Sequence, residues 1–263
     1  VLKEKNIRVV PFVDEEGRIW RIIKFGNKLS ILPFDAVITA GGRGERLRPL
    51  TDTIPKPLLM VGEKPIMEHN IDALSLYGID NICITVNYRA QQIMDHFGNG
   101  SEKGIEINYI REDIPLGTIG SLRLIKDFLN DYVLVMNSDL LTNINYEDLF
   151  REFIAKAADI IVATIPYKVI VPYAVLETDH ENIISFKEKP TYTYYSNAGI
   201  YLIKKELINM IPENAFYNAT DLMEQLINDG KKVVYYPLLG YWLDIGKHED
   251  YIKAQEDIKH INI

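Results

Sequence analysis

Residues 35–57 read DAVITAGGRGERLRPLTDTIPKP, and no other stretch limits the fold so narrowly. An apolar run (Ala36, Val37, Ile38) meets Gly41, Gly42 and Gly44, followed by Arg46, Arg48 and, after a polar turn, Lys56. Glycines let backbone N–H groups approach an anion closely, because no Cβ stands in the way. A strand that runs into glycines and then fixed cations predicts a phosphate site at the carboxyl end of a strand in an α/β sheet. Two common phosphate loops are excluded. A Walker A loop needs Gly-Lys-Ser/Thr, whereas Gly44 precedes Glu45 and Arg46. A dinucleotide fingerprint needs a third glycine where Leu47 stands. Pro49, Pro55 and Pro57 stiffen a loop that solvated arginines alone would leave mobile.

The rest of the chain agrees with an α/β fold. Apolar runs at 36–39, 82–86, 105–110 and 132–136 predict buried strands, separated by helix-like stretches at 66–77, 90–97 and 119–129. Thr118 is expected to cap the last of these. Alternating strands and helices imply right-handed crossovers and a mostly parallel sheet. Runs at 160–165, 173–177, 183–187, 199–203 and 232–236 lie closer together and predict a mixed, partly antiparallel half. An amphipathic helix from Lys247 to about Ile258 is expected to close the sheet.

A formal net charge of −8 argues against a general nucleic-acid binder. No apolar stretch reaches the roughly 18 residues that span a bilayer, so no membrane partner is expected. The one cysteine, Cys83, lies in the apolar run NICITV. It reads as a buried free thiol, and a reducing cytoplasm is the expected compartment. A homo-oligomer is left open.

GGRGERLRPLT and PKPLLMVGEKPIMEHNIDAL resemble the signature of the sugar-1-phosphate nucleotidylyltransferases, the nucleotide-sugar pyrophosphorylases. The resemblance continues in order through PLGTIGSL (115–122), VMNSDLLT (135–142), SFKEKP (185–190), SNAGIYLI (196–203) and GYWLDIGKHEDY (240–251). It implies a Rossmann-like nucleotide-diphospho-sugar transferase fold, a mixed, mostly parallel central sheet flanked by helices. It also implies transfer of a nucleoside monophosphate from an NTP to a sugar 1-phosphate, with Mg²⁺ as cofactor. The overall look is nearest the mannose-1-phosphate guanylyltransferases, so GTP is favoured; uridylyl- or thymidylyltransfer to glucose 1-phosphate is the same-class alternative. A nucleotide-sugar sensor and a regulatory subunit without activity of its own are the rivals from other classes.

The resemblance also implies residue roles. Arg46 and Lys56 would bind the triphosphate and stabilise the transition state, with Arg46's forked donors suited to the leaving pyrophosphate. Ala40, Gly41, Gly42, Arg43 and Gly44 would cradle the nucleotide. Gly117 would let the chain pass against the base, and Asn87 would meet a base edge or serve as a simple turn asparagine. Asp139 and Asp244 would hold Mg²⁺, which prefers few carboxylates plus phosphate oxygens and water. Taken alone, either aspartate reads as a cap or turn residue. Tyr173, Glu188, Lys189 and Asn197 would form the sugar-phosphate side, while Trp242 reads as core packing. Glu45, Thr39, Ser138 and Ala174 depart from the common family pattern, and Ala174, beside Tyr173, weakens inference of the sugar.

Residues 7–24, IRVVPFVDEEGRIWRIIK, predict a β-hairpin turning at Asp-Glu-Glu-Gly. The hairpin resembles the closing strands of a cystathionine-β-synthase (CBS) domain; an ordinary N-terminal β-hairpin extension is the other reading. The expected division is therefore a 1–30 leader, the tail of a CBS domain plus linker (Phe25–Pro33), and a 31–263 nucleotidyltransferase domain. Further CBS sequence is expected ahead of Val1.

Overall fold

The computed structural model describes residues 9–14, 16–24 and 28–261. β1 (Val9–Val13) and β2 (Ile19–Lys24) pair antiparallel. The Asp14 carboxylate accepts the backbone N–H groups of Glu16 and Arg18 at 3.0 and 2.9 Å, which closes the turn. The expected hairpin is present from Val9; Ile7, Arg8, Glu15 and linker residues 25–27 lie outside the described residues.

β3 (Asp35–Ala40) is the centre of the molecule. It is followed by the short pair β4 (Met60–Val61) and β5 (Lys64–Pro65), then α1 (Ile66–Leu76), β6 (Asn81–Val86), α2 (Ala90–Phe97) and β7 (Glu106–Arg111). β8 (Tyr132–Asn137), β9 (Leu140–Thr142), α3 (Tyr146–Ala155), β10 (Ile160–Ile170), β11 (Val175–Asp179) and β12 (Asn182–Lys187) come next. The chain closes with β13 (Thr191–Lys204), α4 (Ala219–Asn228), β14 (Val233–Pro237), β15 (Trp242–Asp244) and α5 (His248–Asp257). Seven strands form one sheet in the order β14-β10-β13-β8-β3-β6-β7. Only β13 runs against its neighbours; β3, β6, β7 and β8 are mutually parallel, and β14 is parallel to β10.

The near-continuous apolar character of β3 follows from burial on both faces, as parallel sheets require. Ala36, Ile38 and Ala40 join a core with Met67, Ile71 and Leu74 of α1 and Leu149 and Phe153 of α3. Val37 points the other way, into a core with Val133, Val135 and the α4 residues Leu222 and Leu226.

Three expectations are corrected. No α-helix forms over 119–129; a 3-10 turn covers Gly120–Leu124 and irregular chain follows. The amides of Ile119 and Gly120 both donate to Tyr217 O, each at 3.1 Å, which holds the segment against another part of the chain. A Cβ on Gly120 would lie 2.6 Å from Ala215 O. Thr118 consequently caps a different helix: its Oγ1 accepts the N–H of Ala219, the first residue of α4, at 2.8 Å. Finally, α5 does not cover the main sheet. Its buried Ala254 joins Leu47, Leu59, Val61, Leu141 and Ile245 in a third, lateral core.

Candidate functional site

The carboxyl ends of β3 and β8 open on a cavity of about 530 Å³. Ala40, Gly41, Gly42, Gly44, Arg46 and Lys56 line it from the β3 side; Gly117 and Asp139 face them. The glycine loop folds back tightly. Gly44 adopts φ +64°, and a Cβ there would meet Thr51 Cγ2 at 3.0 Å and Lys56 Cβ at 3.1 Å. Thr51 Oγ1 donates to Gly44 O at 2.8 Å, which ties the loop to the turn carrying Lys56. Leu47, fully buried, anchors the 3-10 turn that presents Arg46.

Strand pairing creates the acidic centre. Asp139 comes two residues after the end of β8, and β9 pairs antiparallel with β15 so that Leu140 stands opposite Asp244. Ile245 N donates to Asp139 O at 3.1 Å. The two carboxylates, distant in sequence, thereby share one cation: the Lys56 ammonium bonds Asp139 Oδ2 and lies 3.7 Å from Asp244 Oδ1. Asp139 Oδ1 and Asp244 Oδ1 are buried and have no hydrogen-bond partner. Burial, then the neighbouring Asp139 charge, push the Asp244 carboxyl up to about 6, against the opposing pull of Lys56 and Arg46. Arg46 completes this end, its guanidinium 3.5 Å from where a Cβ on Gly246 would lie.

The donor set fits a hard divalent cation. Two buried carboxylate oxygens without hydrogen bonds stand beside an anion-binding loop, and among the described residues no group of three or more His, Cys, Asp or Glu forms a closed cage. An ion there would take its remaining oxygens from phosphate and water, as Mg²⁺ does.

A further buried carboxylate was not foreseen. Glu112 is 7% exposed, lines the cavity and accepts Leu116 N–H at 3.3 Å. A Cβ on Gly41 would sit 3.3 Å from both of its oxygens. Its signal in the sequence was position: Glu112 directly follows β7, as Asp139 comes shortly after β8. Phe216, 64% exposed, also lines the cavity and was not foreseen.

Other expected residues stand apart. Asn87 donates to the main-chain O of Glu112 at 2.7 Å, so its amide nitrogen is committed to the β6–β7 end, and it does not line the cavity. Arg43 is exposed and does not line it either. Gly117, at φ +78°, does reach the cavity, yet its missing Cβ makes room for protein backbone: a Cβ would lie 2.6 Å from Tyr217 O. Tyr173, Glu188, Lys189 and Asn197 are exposed and lie outside the lining of the cavity. The Asn197 side chain donates to Tyr201 Oη at 2.7 Å and accepts Gly199 N–H at 2.9 Å. Trp242 packs against the main core and donates from Nε1 to Ala198 O at 2.9 Å, in agreement with a packing role.

Two larger cavities, of about 670 and 570 Å³, open elsewhere. The larger is lined by Arg123, Lys204 and Lys205, whose charges are already matched by Glu213, Asp159 and Asp131. Among the described residues, no helix is long and apolar enough to cross a membrane.

Residues 35–261 match the protein-family model described as Nucleotidyl transferase. The chain is 32% identical over 253 residues to a UTP–glucose-1-phosphate uridylyltransferase of Synechocystis sp., covering 87% of this chain and 65% of that protein. It is 30% identical over 230 residues to a mannose-1-phosphate guanylyltransferase of Mycobacterium tuberculosis, covering 85% and 64%. The chain thus spans a little under two thirds of the length of either relative. A solved structure described as a candidate glucose-1-phosphate thymidylyltransferase of Bacillus anthracis superposes with a TM-score of 0.71 at 26% identity, covering 88% of this chain and 97% of that one.

Proposed function

This chain belongs to the nucleotidyl transferase family, and from that premise we propose that it joins a nucleoside triphosphate, GTP by preference, to a sugar 1-phosphate. The products are a nucleotide sugar and pyrophosphate. The observation that carries the proposal is the triad of Lys56, Asp139 and Asp244 beside the glycine loop. In the reaction a sugar-phosphate oxygen attacks the α-phosphorus, and the bond to pyrophosphate breaks in line with it. No protein nucleophile is needed, so the work is alignment and charge stabilisation. Backbone N–H groups at Gly41, Gly42 and Gly44 hold the phosphates. Arg46 meets charge growing on the departing pyrophosphate, and Lys56 neutralises the oxygens of the α-phosphate. Asp139 and Asp244 would hold Mg²⁺, which when bound withdraws charge from the phosphates.

Glu112 supports the preference for guanine. An ionised carboxylate is acceptor-only, and guanine offers adjacent N1–H and N2–H donors at one edge. Uracil and thymine offer a single N–H there between two carbonyl oxygens, which a buried carboxylate repels. Tyr173, Glu188, Lys189 and Asn197 are proposed as the sugar-phosphate side and Arg43 and Asn87 as outer nucleotide contacts, on the resemblance alone. Cys83, whose thiol is pushed up to about 12 by burial, suits a reducing cytoplasm. The hairpin β1–β2 is proposed as the tail of a regulatory CBS region.

The test is pyrophosphate release by the purified chain with Mg²⁺, across GTP, UTP, dTTP, CTP and ATP, each with a panel of sugar 1-phosphates. Release that requires GTP and one sugar phosphate is expected. Release with UTP or dTTP instead overturns the base assignment. Silence from a folded chain that still binds NTP overturns the reaction. In Glu112→Gln, discrimination for GTP should fall by about 10–200-fold, the scale of one or two lost polar contacts.

A further inference from the structure

The Lys56 ammonium occupies a distinctive place: it bonds one member of the carboxylate pair and lies 3.7 Å from the other. Its side chain is only 12% exposed. Its backbone is held on every side. Pro55 and Pro57 flank it, Leu59 N–H donates to its carbonyl at 3.0 Å, and the Gly44 turn packs against its Cβ. Any change in the position of this charge therefore falls to the outer methylenes and the ammonium. Asp139 and Asp244 lie against each other and against this one side chain, Asp139 through Oδ2 and Asp244 through Oδ1, while Asp139 Oδ1 is buried with no hydrogen bond.

Two like charges held this close in a half-buried setting need a cation between them. Resting on the metal reading above, we infer that Lys56 is an internal stand-in for the divalent cation. In the nucleotide-free chain it neutralises the pair and keeps the two carboxylates positioned, and it competes with a bare metal ion for the same oxygens. Triphosphate entering the glycine loop offers the ammonium a denser set of anionic oxygens within reach of the same side chain. Lys56 then swings from carboxylate to phosphate, and the carboxylates become available to the metal that arrives with the nucleotide. Metal and nucleotide consequently bind as a coupled pair, and Lys56 is the element through which each favours the other. A lysine fixed in a structural ion pair would oppose the metal by charge alone, and its removal would leave the gain on adding triphosphate unchanged.

The test is a Mn²⁺ titration of the full chain without nucleotide, read as bound Mn²⁺ by electron paramagnetic resonance. Lys56→Met and Lys56→Gln should each bind Mn²⁺ at least about ten-fold more tightly than the parent, within the usual range of site-to-site coupling. Thermal melting gives a second readout: Mn²⁺ should raise the melting temperature of both variants more than that of the parent. Adding tripolyphosphate should tighten Mn²⁺ on the parent, and by a smaller factor on either variant. If both variants fold and bind Mn²⁺ no more tightly than the parent, the stand-in role is overturned. The metal reading is tested separately, by Mn²⁺ binding in the presence of GTP. If that is indifferent to Asp139→Asn and Asp244→Asn, the metal site itself fails.

Discussion

Replacing Gly117 by alanine separates two roles that a glycine at a nucleotide site can play. Gly117 sits at φ +78°, and a methyl group there would lie 2.6 Å from Tyr217 O and 3.0 Å from Asn218 Oδ1. Holding a non-glycine residue in that left-handed region costs on the order of 1–3 kcal/mol. The overlap is with backbone, so the 116–120 segment and the 215–218 segment must part. Their clasp includes Ile119 N and Gly120 N on Tyr217 O, each at 3.1 Å, and Tyr217 N on Leu116 O at 2.9 Å. Each such bond contributes about 1 kcal/mol. Gly117→Ala should therefore lose about 4 kcal/mol, a fall in melting temperature of about 10 °C for a domain of this size. Gly42→Ala is the matched control. Nothing lies within 4 Å of its would-be Cβ and its φ is not left-handed, so stability should stay within about 0.5 kcal/mol. Because the Gly42 N–H faces the phosphates in our reading, the KM for NTP should rise all the same. Differential scanning calorimetry and steady-state kinetics on both variants decide the matter. A Gly117→Ala protein that melts within 2–3 °C of the parent, a loss near 1 kcal/mol, would refute the clasp argument.

Asp139→Asn and Asp244→Asn should each lower kcat by about 10²–10³-fold, and the double variant should lose little more because the pair acts as one unit. Asp244→Asn also removes a half-buried like charge, so in guanidinium titrations without metal it should be at least as stable as the parent. Trp242→Phe deletes the donor to Ala198 O and should cost about 1–2 kcal/mol, read as a lower midpoint in chemical denaturation. A surface cluster gives a pH test. Burial works to raise the Glu68 and Asp72 carboxyls, but hydrogen bonds and charge from Lys103, with Lys64 at Asp72, outweigh it and hold both below their usual range. Depressed carboxyls stabilise above their unfolded values near pH 4 and lose that contribution as pH falls through the folded ones. Lys103→Met should therefore cost roughly 1 kcal/mol at pH 7 after solvent screening, and the difference should fade towards pH 3 in urea unfolding curves.

The strands were legible because burial on both faces writes a continuous apolar run into a local stretch of chain. β3, β6 and β8 appear where Ala36, Ile82 and Tyr132 open such runs. The failure at 119–129 has an equally local origin. Ile119, Leu122 and Ile125 repeat at near-helical spacing, but that spacing serves burial against α4; Ile119 N and Gly120 N are tied to Tyr217 O, and Leu122 N and Ile125 N close i→i−3 turns in place of an α-helix. α3 and α4 went unpredicted although Asn145 caps the first and Asn218 forms a capping box on the second; both begin after irregular chain.

The glycine loop and its cations follow from residues 35–57 alone, since a strand, close-approach glycines and neighbouring charges all lie within one short segment. Asp139 and Asp244 could be named from the sequence only by resemblance to a family. Nothing within ten residues of either says that they meet. Their meeting depends on β9 pairing with β15, on a register that sets Leu140 against Asp244, and on Lys56 arriving from a third segment. The place of Gly117 against Tyr217 and of Glu112 against Gly41 is decided in the same way. Local propensity and periodicity record which face of an element is buried. They carry no record of which distant partner buries it, and a site made of charges from four segments exists only once the chain has closed on itself.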